Sequence, residues 1–290
     1  MQLLEGKKVS EEILDEIKIE VDKIIASGKR APHLAVVLVG NNPASETYVG
    51  GKIKACEKVG FKSTLVKLPD TIDEASLLKE IKKLNDDTTL DGFIVQSPLP
   101  KHIADSKVIN AISPAKDVDG FHSENVGRMA LNMPAYLPAT PYGVIQLLDR
   151  YKIPTEGKHC VIMGRSHIVG LPMSLLMVRN AKPGNCTVTI CHSKTQNVKQ
   201  YTLQADILIV ATGQVESVTA DMVKDDAVVV DVGISRVPDS TKKSGYRIAG
   251  DVKFDEVAPK CSYITPVPGG VGPMTIASLL MNTLNGYKRK

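Results

Sequence analysis

The sequence predicts an α/β fold of two domains, each built on a parallel sheet that helices cover on both faces. Short, continuously apolar runs alternate with helix-length segments along almost the whole chain, which is typical of buried parallel strands. A chain of 290 residues is long enough for two modest domains, each with its own core. Pro134, Pro138 and Pro141 cluster between residues 132 and 141 and mark the predicted seam between the domains.

The predicted strands follow one another at fairly regular intervals. They span residues 34–39, 63–68, 92–95, 159–163, 187–191, 207–211, 227–232 and 262–265. The helix-length segments between them include residues 74–84 and 169–179, and a last helix is expected from Thr275 onward.

Composition and charge exclude several classes of protein. The net charge of +4 arises from 36 basic and 32 acidic residues scattered along the chain, without a basic block that carries interleaved aromatic residues. Aromatic residues make up only 4% of the chain. A nucleic-acid partner is therefore not expected. No apolar run approaches the length of a membrane span and no signal-peptide pattern begins the chain, so we expect no membrane association and a cytoplasmic protein.

The five cysteines form no CxxC pair. Cys191 and His192, which follow Cys186, could be a fragment of a metal site, but the strand-like residues 187–190 separate the two cysteines. Buried free thiols in a reducing cytoplasm are the better interpretation, and no metal is expected.

A ring and an amine are predicted to share one helix face soon after the first strand. Tyr48 and Lys52 are four residues apart, and Ser45 is placed to cap the helix that carries them. Gly50 and Gly51 each cost a helix about 1 kcal/mol relative to alanine, which suggests that something packs or binds closely there. Burial can lower the pKa of a lysine enough for acid–base chemistry near neutral pH. The alternatives are a solvated surface lysine and a tyrosine that is partly core.

An amide follows the third predicted strand, at the edge where open parallel sheets bind their ligands. Gln96 comes directly after residues 92–95 and precedes Pro98 and Pro100, which restrict the backbone. Its side chain could hold the Lys52 amine by a hydrogen bond.

The segment DVDGF, residues 117–121, is a polar turn with two carboxylates. One of them, Asp117 or Asp119, could accept two hydrogen bonds from an amino-pyrimidine. The alternative is an Asx-turn that only shapes the loop.

In the second half, residues 161–170 (VIMGRSHIVG) run from a strand into a helix through a turn of small residues. Such a turn lets backbone N–H groups and a helix N-terminus approach a pyrophosphate, as in a Rossmann-type dinucleotide site. The pattern departs from GxGxxG, because Ser166 stands at the second glycine position and Gly170 comes one residue late. A tight turn without a ligand is the alternative.

The end of the following strand predicts which dinucleotide is bound. An NAD site normally places Asp or Glu there to bind the ribose 2′-hydroxyl. Residues 191–194 (CHSK) contain no acid, and Ser193 and Lys194, together with Arg165, offer a hydroxyl and two cations that suit a 2′-phosphate. NADP is therefore favoured over NAD, with a solvated loop as the alternative.

Three later segments carry glycines that allow a backbone to approach a ligand closely. They are ATGQ at 211–214, DVGI at 231–234, which includes Ile234, and ITPVPGGVGPMT at 264–275, which includes Pro266 and Gly270. The last is expected to form a rigid loop at the border of a cleft between the domains, although each segment could equally be a plain turn or loop.

These segments together resemble the bifunctional methylenetetrahydrofolate dehydrogenase/methenyltetrahydrofolate cyclohydrolase family. The motifs, in chain order, are NNPASETYVGGKIKAC, DGFIVQSPLP, KDVDGFH, PATPYG, GRSHIVGLPM, CHSKT, DVGI and ITPVPGGVGPMT. The resemblance implies a folate-binding catalytic domain at residues 1–140, onto which a C-terminal helix at 273–290 packs back. It also implies an NADP-binding Rossmann domain at 141–272 and a homodimer.

The resemblance assigns roles to individual residues. Lys52 matches the catalytic lysine and Gln96 the residue that positions it. Tyr48 matches a ring that packs on the pterin, and Asp119 a carboxylate that holds the amino edge of the pterin. Pro266 and Gly270 are assigned to the substrate site as well. The expected NADP contacts are Gly164, Arg165, Ser166, Ser193 and Ile234.

The implied activity is the NADP-dependent oxidation of 5,10-methylenetetrahydrofolate to the methenyl compound, followed by hydrolysis to 10-formyltetrahydrofolate, in one-carbon metabolism and purine biosynthesis. No GxxxxGK[ST] phosphate loop is present, so an added ATP-dependent formate ligase is not expected. Ser97, Ala139 and Gly50-Gly51 depart from the usual residues of the family, which bears on affinity and relative rates. The rival interpretations are a dehydrogenase without cyclohydrolase activity, a two-domain dehydrogenase of amino or hydroxy acids, and a nucleotide-sensing regulator.

Overall fold

The computed structural model describes residues 1–242 and 245–290, which form two compact units. The six-stranded unit consists of Met1–Ser10 and Thr140–Thr275. The three-stranded unit consists of Glu11–Ala139 and Ile276–Lys290. The predicted domains at 1–140 and 141–272 differ from these units at the N-terminus, where the first ten residues group with the six-stranded unit.

Helices and strands alternate as an α/β fold requires, which confirms the predicted fold class. The strands are β1 (Gln2–Leu3), β2 (His33–Val39), β3 (Lys62–Leu68), β4 (Gly92–Val95), β5 (His159–Met163), β6 (Thr187–Cys191), β7 (Ile207–Val210), β8 (Val228–Asp231), β9 (Ser235–Pro238), β10 (Tyr246–Ala249) and β11 (Tyr263–Ile264). The α-helices are α1 (Gly6–Ala26), α2 (Pro43–Val59), α3 (Glu74–Asp86), α4 (Asp105–Ala111), α5 (Ser123–Ala130), α6 (Ala139–Arg150), α7 (Gly170–Val178), α8 (Val198–Thr202), α9 (Phe254–Val257) and α10 (Val271–Lys288).

The three-stranded unit contains a parallel sheet in the order β3-β2-β4. Every residue of β2 is buried, because this strand is covered by a neighbour on each side and by helices on the faces. Leu77 and Ile81 of α3 pack against the strand residues Val37 and Phe93 in one apolar cluster. The chain order reverses at β2, so the carboxyl ends of β2 and β4 form the crevice where such sheets bind ligands.

The six-stranded unit contains a parallel sheet in the order β1-β11-β8-β7-β5-β6. Strands β7 and β8 are buried along their whole length. The strand order reverses at β5, which has β6 on one side and β7 on the other. This is the doubly wound arrangement of a Rossmann-type domain, with its binding crevice at the carboxyl end of β5.

The additional strands β1, β9 and β10 were not expected from the sequence. Strand β1 joins the edge of the six-stranded sheet, where Gln2 N–H donates to the Ser262 carbonyl oxygen and Leu4 N–H to that of Ile264. A two-residue strand is too short to show a periodicity. This explains why the prediction placed the first ten residues in the domain at 1–140, whereas they group with the six-stranded unit. Strands β9 and β10 form an antiparallel hairpin whose residues are mostly half-exposed, so no continuous apolar run announces them.

Helix α2 begins differently from the prediction. Its N-cap is Asn42, whose side-chain oxygen accepts hydrogen bonds from the N–H groups of Ala44 at 2.9 Å and Ser45 at 3.2 Å. The expectation that Ser45 caps this helix is wrong, since Ser45 lies buried inside the first turn. The helix ends at Val59, and its C-cap residue Gly60 adopts a left-handed conformation with φ 79°. Pro43 suits the first position of the helix, because it has no backbone N–H that would need an acceptor there. This favours a start at Asn42 over one at Ser45.

All five cysteines are free and buried. Burial raises the pKa of the Cys56 thiol to about 12, which leaves it inert near neutral pH. In the described residues, no three or more His, Cys, Asp or Glu side chains are grouped so that they could hold a metal ion. Nor does any helix of residues 1–242 and 245–290 combine the length and the apolar character needed to cross a membrane.

The glycine pair inside α2 predicts two different responses to alanine. A Cβ added at Gly50 would meet nothing within 4 Å, whereas one at Gly51 would lie 3.3 Å from Cδ1 of Ile276. We expect Gly50→Ala to raise the free energy of unfolding by about 0.5–1 kcal/mol, the usual gain in a helix interior. Gly51→Ala should gain less, because Ile276 must move.

Thermal or denaturant unfolding of the two variants measures this difference. Gly127→Ala in α5, where a Cβ also meets nothing within 4 Å, is the matched control. A loss of stability in Gly50→Ala, with a gain in the control, would show that the space beside Gly50 is needed in the folded protein.

Candidate active site

The amine of Lys52 is buried in the three-stranded unit and held by one amide. Lys52 lies on α2 and is only 7% exposed. Its Nζ donates a hydrogen bond to Oε1 of Gln96 at 2.9 Å, which confirms the predicted contact. Nε2 of Gln96 donates to the Ser97 carbonyl oxygen at 2.7 Å, so the amide is oriented with its oxygen toward the amine. The Gln96 N–H continues the β2–β4 ladder by donating to the Val37 carbonyl oxygen.

The segment that carries Asp119 is held beside β4. The N–H of Phe93 donates to the Lys116 carbonyl oxygen, and Phe93 and Asp117 form an isolated parallel bridge. Gly120 then turns the chain with φ 78°, and a Cβ there would lie 2.6 Å from backbone atoms of Leu137. Only glycine suits this position. Asp119 is thereby placed close to the carboxyl end of β4, where Gln96 also lies.

The two carboxylates of this turn have different tasks. Asp117 accepts backbone hydrogen bonds from Gly120, Phe121 and His122, and one from the side chain of Asn125. It is therefore the loop-shaping carboxylate of the Asx-turn interpretation. The carboxylate of Asp119 accepts no hydrogen bond from any residue that the structure describes. Its lone pairs remain available to a ligand.

Lys52 and Asp119 influence each other electrostatically. Burial lowers the pKa of Lys52, and the negative charge of Asp119 acts in the opposite direction. Burial likewise raises the pKa of Asp119, against the effect of the Lys52 charge. A lysine with a lowered pKa can accept and release a proton nearer to neutral pH than an exposed lysine.

Tyr48 completes the group in this unit. It is half-buried on α2, one turn before Lys52 and on the same face. Tyr48, Lys52, Gln96 and Asp119 thus supply an aromatic face, a proton carrier with its positioning amide, and an acceptor carboxylate, all in the three-stranded unit. This set could bind a flat heterocycle that has amino groups and could move a proton at it.

Asn282 of α10 is a positioning residue that the sequence reasoning missed. It is 2% exposed, and its Nδ2 donates to the carbonyl oxygens of Val118 and Leu137, each at 2.9 Å. These carbonyls lie on the two segments that flank the Asp119 turn. A lone Asn in a helix, more than 140 residues away in sequence, carries no signal that could have identified it.

In the six-stranded unit, the turn after β5 is packed so closely that glycine is required. Gly164 has φ 125°, and a Cβ there would overlap the carbonyl oxygen of Ala211 at the end of β7. A Cβ on Gly170 would in turn overlap the carbonyl oxygen of Gly164. Gly170 therefore makes the close helix–turn contact of a dinucleotide site, although it comes one residue late in the pattern.

The same turn presents unused hydrogen-bond donors. In the part of the chain that the structure describes, the backbone N–H groups of residues 165–168 donate to no protein acceptor, and these residues are exposed. The Oγ of Ser166 accepts from the N–H of Val169 at 3.2 Å and so holds the start of α7. Free N–H groups before a helix N-terminus suit a pyrophosphate.

Arg165 and Ser193 lie on neighbouring strand ends. β5 and β6 are paired, with Met163 opposite Cys191, so both residues follow the carboxyl ends of adjacent strands. Both side chains are exposed, and no acid occurs in residues 191–195. The pair suits the phosphate of NADP rather than the free ribose hydroxyl of NAD.

The remaining predicted residues also lie in the six-stranded unit. Ile234 follows β8 and is 48% exposed. Gly270 is buried, and a Cβ there would lie 2.5 Å from the carbonyl oxygen of Pro266. The assignment of Pro266 and Gly270 to the substrate site, and that of Ile234 to the dinucleotide, stay predictions.

Comparison with known proteins identifies the family of both halves. Residues 4–119 match the catalytic domain of the tetrahydrofolate dehydrogenase/cyclohydrolase family, and residues 138–290 match its NAD(P)-binding domain. The bifunctional protein FolD of Cytophaga hutchinsonii is 68% identical over 290 residues, which cover all of both chains. That of Porphyromonas gingivalis is 60% identical over 287 residues, covering 99% of this chain and 97% of the relative.

Two solved structures support the same assignment. The bifunctional FolD enzyme of Campylobacter jejuni has a TM-score of 0.93 and 48% identity, covering 100% of this chain and 99% of the other. The FolD enzyme of Trypanosoma brucei, solved with NADP cofactor and an inhibitor, has a TM-score of 0.93 and 36% identity, covering 98% and 96%. Two family domains in the expected order and this level of identity over the full length leave one conclusion: the chain belongs to the tetrahydrofolate dehydrogenase/cyclohydrolase family.

Proposed function

We propose that this chain carries out both reactions of its family and that Lys52 is the proton carrier of the second. The enzyme is a methylenetetrahydrofolate dehydrogenase that uses NADP⁺ and a methenyltetrahydrofolate cyclohydrolase. The observation that carries the proposed role is the buried Lys52 amine, held by Gln96 and close enough to Asp119 for their charges to interact.

In the first reaction the methylene carbon that bridges N5 and N10 of the folate loses a hydride. The acceptor of this hydride would be bound NADP⁺, and the folate would become the methenyl cation. The protein contributes orientation and the exclusion of water. In this proposal the ring of Tyr48 packs on the pterin, and Asp119 accepts hydrogen bonds from its amino edge.

In the second reaction water adds to the methenyl carbon and gives up a proton. The neutral hydroxyl adduct then loses its bond from this carbon to N5 as N5 takes up a proton, and its O–H proton leaves to solvent as the formyl C=O forms. The product is 10-formyltetrahydrofolate, with a net release of one proton. Lys52 is proposed to accept the proton from the water and to return one to N5. Burial lowers the pKa of Lys52, which makes the neutral amine easier to form than on an exposed lysine. The hydrogen bond to Gln96 keeps the amine oriented toward the proposed substrate position.

The cofactor is NADP, and we propose that Arg165 and Ser193 select it. Both side chains are exposed and follow the ends of paired strands, and Gly164 with the free N–H groups of residues 165–168 would hold the pyrophosphate. An arginine makes a charge-assisted contact with a phosphate. The ribose hydroxyl of NAD carries no charge, so it cannot replace the phosphate in this contact.

We further propose that the protein acts as a homodimer in the cytoplasm. The family resemblance supports the dimer, and five buried free thiols suit a reducing compartment. Sedimentation equilibrium of the purified protein would give the assembled mass, and a mass of one chain would contradict the dimer.

Lys52→Met is expected to abolish the cyclohydrolase reaction while NADP binding survives. The change removes the proposed proton carrier but keeps an apolar stem of similar length, and losing a general acid–base group costs about 10²–10⁴-fold in rate. The decay of the methenyl absorbance measures the reaction, and calorimetry measures NADP binding.

Lys54→Met, an exposed lysine on the same helix, is the matched control. Hydrolysis at the wild-type rate in Lys52→Met would remove Lys52 from the mechanism. If the wild-type protein reduces NADP⁺ but does not hydrolyse methenyltetrahydrofolate, the result would instead indicate a dehydrogenase without cyclohydrolase activity.

The preference for NADP⁺ over NAD⁺ should weaken in Arg165→Ala and in Ser193→Ala. A charge-assisted contact to the phosphate is worth roughly 1.5–3 kcal/mol, which corresponds to roughly a tenfold to hundredfold change in affinity. The ratio of kcat/KM for the two cofactors is the quantity to compare. Lys224→Ala is the control, because Lys224 pairs with Asp206 at the amino end of β7. An unchanged ratio in both variants contradicts the assignment.

Asp119→Asn should weaken folate binding about tenfold or more and leave NADP affinity unchanged. The amide keeps the size of the side chain but replaces an acceptor oxygen with a donor, which costs about 1–3 kcal/mol when it faces the donors of the pterin. Calorimetric titration with folate and with NADP measures both affinities. Asp105→Asn, an exposed carboxylate on α4, is the control. Wild-type folate affinity would reduce Asp119 to a turn residue.

A further inference from the structure

Two carboxylates, Asp231 and Asp251, are buried in the six-stranded unit and take no part in the chemistry proposed above. They are 3% and 0% exposed. Neither has a lysine or arginine as a hydrogen-bonding or ion-pair partner among the described residues. Buried carboxylates without a cationic partner are uncommon, and they persist where hydrogen bonds hold them.

Asp251 holds the loop that follows β7. Its Oδ2 accepts hydrogen bonds from the N–H groups of Thr212 at 2.7 Å and Gly213 at 2.8 Å. The loop goes on to Gln214, which is exposed. The other oxygen, Oδ1, is buried and has no hydrogen-bond partner among the described residues. Oδ2 thus accepts both hydrogen bonds from the loop, whereas Oδ1 accepts none from the described residues.

Asp231 holds the loop that follows β8, together with the segment that contains Asp251. Its Oδ1 accepts from the N–H groups of Gly233 at 2.9 Å and Asp251 at 3.1 Å, and its Oδ2 accepts from the N–H of Val252 at 2.9 Å. Its own N–H donates to Oγ1 of Thr265 at 2.7 Å. The loops after β7, β8, β10 and β11 are therefore joined through the side chains of Asp251, Asp231 and Thr265.

Two glycines pack directly against these carboxylates. A Cβ at Gly233 would overlap Oδ1 of Asp251, and one at Gly250 would overlap Oδ2 of Asp231. The carbonyl of Ala211, directly before Thr212, lies against Gly164 of the turn after β5. A shift of any one loop would therefore displace the others.

Holding the loops in this way has a cost. Burial raises the pKa of Asp231 to about 6, and the hydrogen bonds from Val252, Asp251 and Gly233 only partly oppose this. The buried Oδ1 of Asp251 adds the desolvation of an acceptor without a donor. Asp206, at the amino end of the same sheet, has the ordinary arrangement, with an ion pair to Lys224 and a hydrogen bond from the N–H of His159.

The strand order indicates what the joined loops would contact. If Ser193 after β6 takes the 2′-phosphate and the turn after β5 takes the pyrophosphate, the dinucleotide continues toward β7 and β8. Its nicotinamide half then lies against the loops that present Gln214 and Ile234. The N–H groups of Thr212 and Gly213 are already occupied by Asp251, so these loops offer side chains rather than a second phosphate site.

We propose that Asp251, supported by Asp231, is a positioning residue of the dehydrogenase reaction that fixes the loops after β7 and β8 against the nicotinamide half of NADP. This inference rests on the proposed dinucleotide site in the six-stranded unit. It assigns no contact between Asp251 and the substrate or cofactor, since Asp251 acts through the backbone of Thr212 and Gly213.

The first test separates the two activities in Asp251→Ala. The KM for NADP⁺ should rise, or kcat for hydride transfer should fall, by about tenfold to a hundredfold, as misplaced binding groups cause. Hydrolysis of methenyltetrahydrofolate should stay within about twofold of wild type, since the proposed proton carrier lies in the three-stranded unit. Asp206→Ala is the matched control and should leave the KM for NADP⁺ unchanged. Asp251→Asn should restore most of the dehydrogenase activity, because its amide oxygen can still accept both N–H groups.

Two outcomes of this test would overturn the inference. One is an unchanged dehydrogenase reaction in Asp251→Ala. The other is an equal loss of both activities in Asp251→Ala and Asp251→Asn, which would make the carboxylate a requirement of folding alone.

A second test uses only the wild-type protein, so its outcome does not depend on whether a variant folds. Amide hydrogen exchange at Thr212 and Gly213 should be slow without cofactor and unchanged by NADP⁺, because Asp251 already occupies these donors. The N–H groups of residues 165–168 should become protected when NADP⁺ is added. Fast exchange at Thr212 and Gly213 in the free protein would overturn the role of Asp251. Absence of protection at residues 165–168 would instead overturn the proposed dinucleotide site.

Discussion

The hydrogen bond between Lys52 and Gln96 is the contact on which the proposed chemistry of this protein depends. A lysine that is 7% exposed has lost most of its hydration, and one amide oxygen at 2.9 Å replaces part of it. Burial lowers the pKa of Lys52, and the charge of Asp119 partly opposes this. A lowered pKa suits a lysine that is proposed both to accept and to release a proton.

The positions of Lys52, Gln96 and Asp119 are set by the backbone of the parallel sheet. Gln96 continues the ladder of β4, Lys52 lies on the helix that follows β2, and Asp119 is carried by a segment that runs beside β4. Each side chain is therefore attached to an element whose position is determined by buried backbone hydrogen bonds. Asn282 extends this support, because one side-chain amide holds both segments that flank the Asp119 turn.

The six-stranded unit also presents polar groups at the ends of parallel strands. These groups are backbone N–H groups, beside glycines, rather than side chains proposed to be catalytic. Gly164 and Gly170 bring turn, strand end and helix into direct contact, which leaves the donors of residues 165–168 facing outward. Asp231 and Asp251 connect the loops on the other side of the strand reversal. Both units thus place binding groups at the carboxyl ends of parallel strands, where the loops converge.

Much of this arrangement was predictable, because strong local patterns produced it. The strands at 92–95, 159–163 and 187–191 were predicted with the observed bounds. The first two are continuous apolar runs, as is typical of buried parallel strands, whereas 187–191 is a half-exposed edge strand of alternating residues. The contact between Lys52 and Gln96 was predicted because both follow strand ends. The hairpin of β9 and β10 was not, because its residues are mostly half-exposed and its strands are short.

The sequence by itself determined the class of fold, the family and the set of polar residues from which the site is made, because periodicity and motif order are properties of the chain. Only the tertiary structure decided between equivalent candidates. Asn42 rather than Ser45 caps α2, and Asp117 shapes the turn while Asp119 stays available. The physical reason is that a side chain's role depends on which buried donors it meets. Those donors, as with Asn282, belong to segments that are distant in the chain and adjacent only after folding.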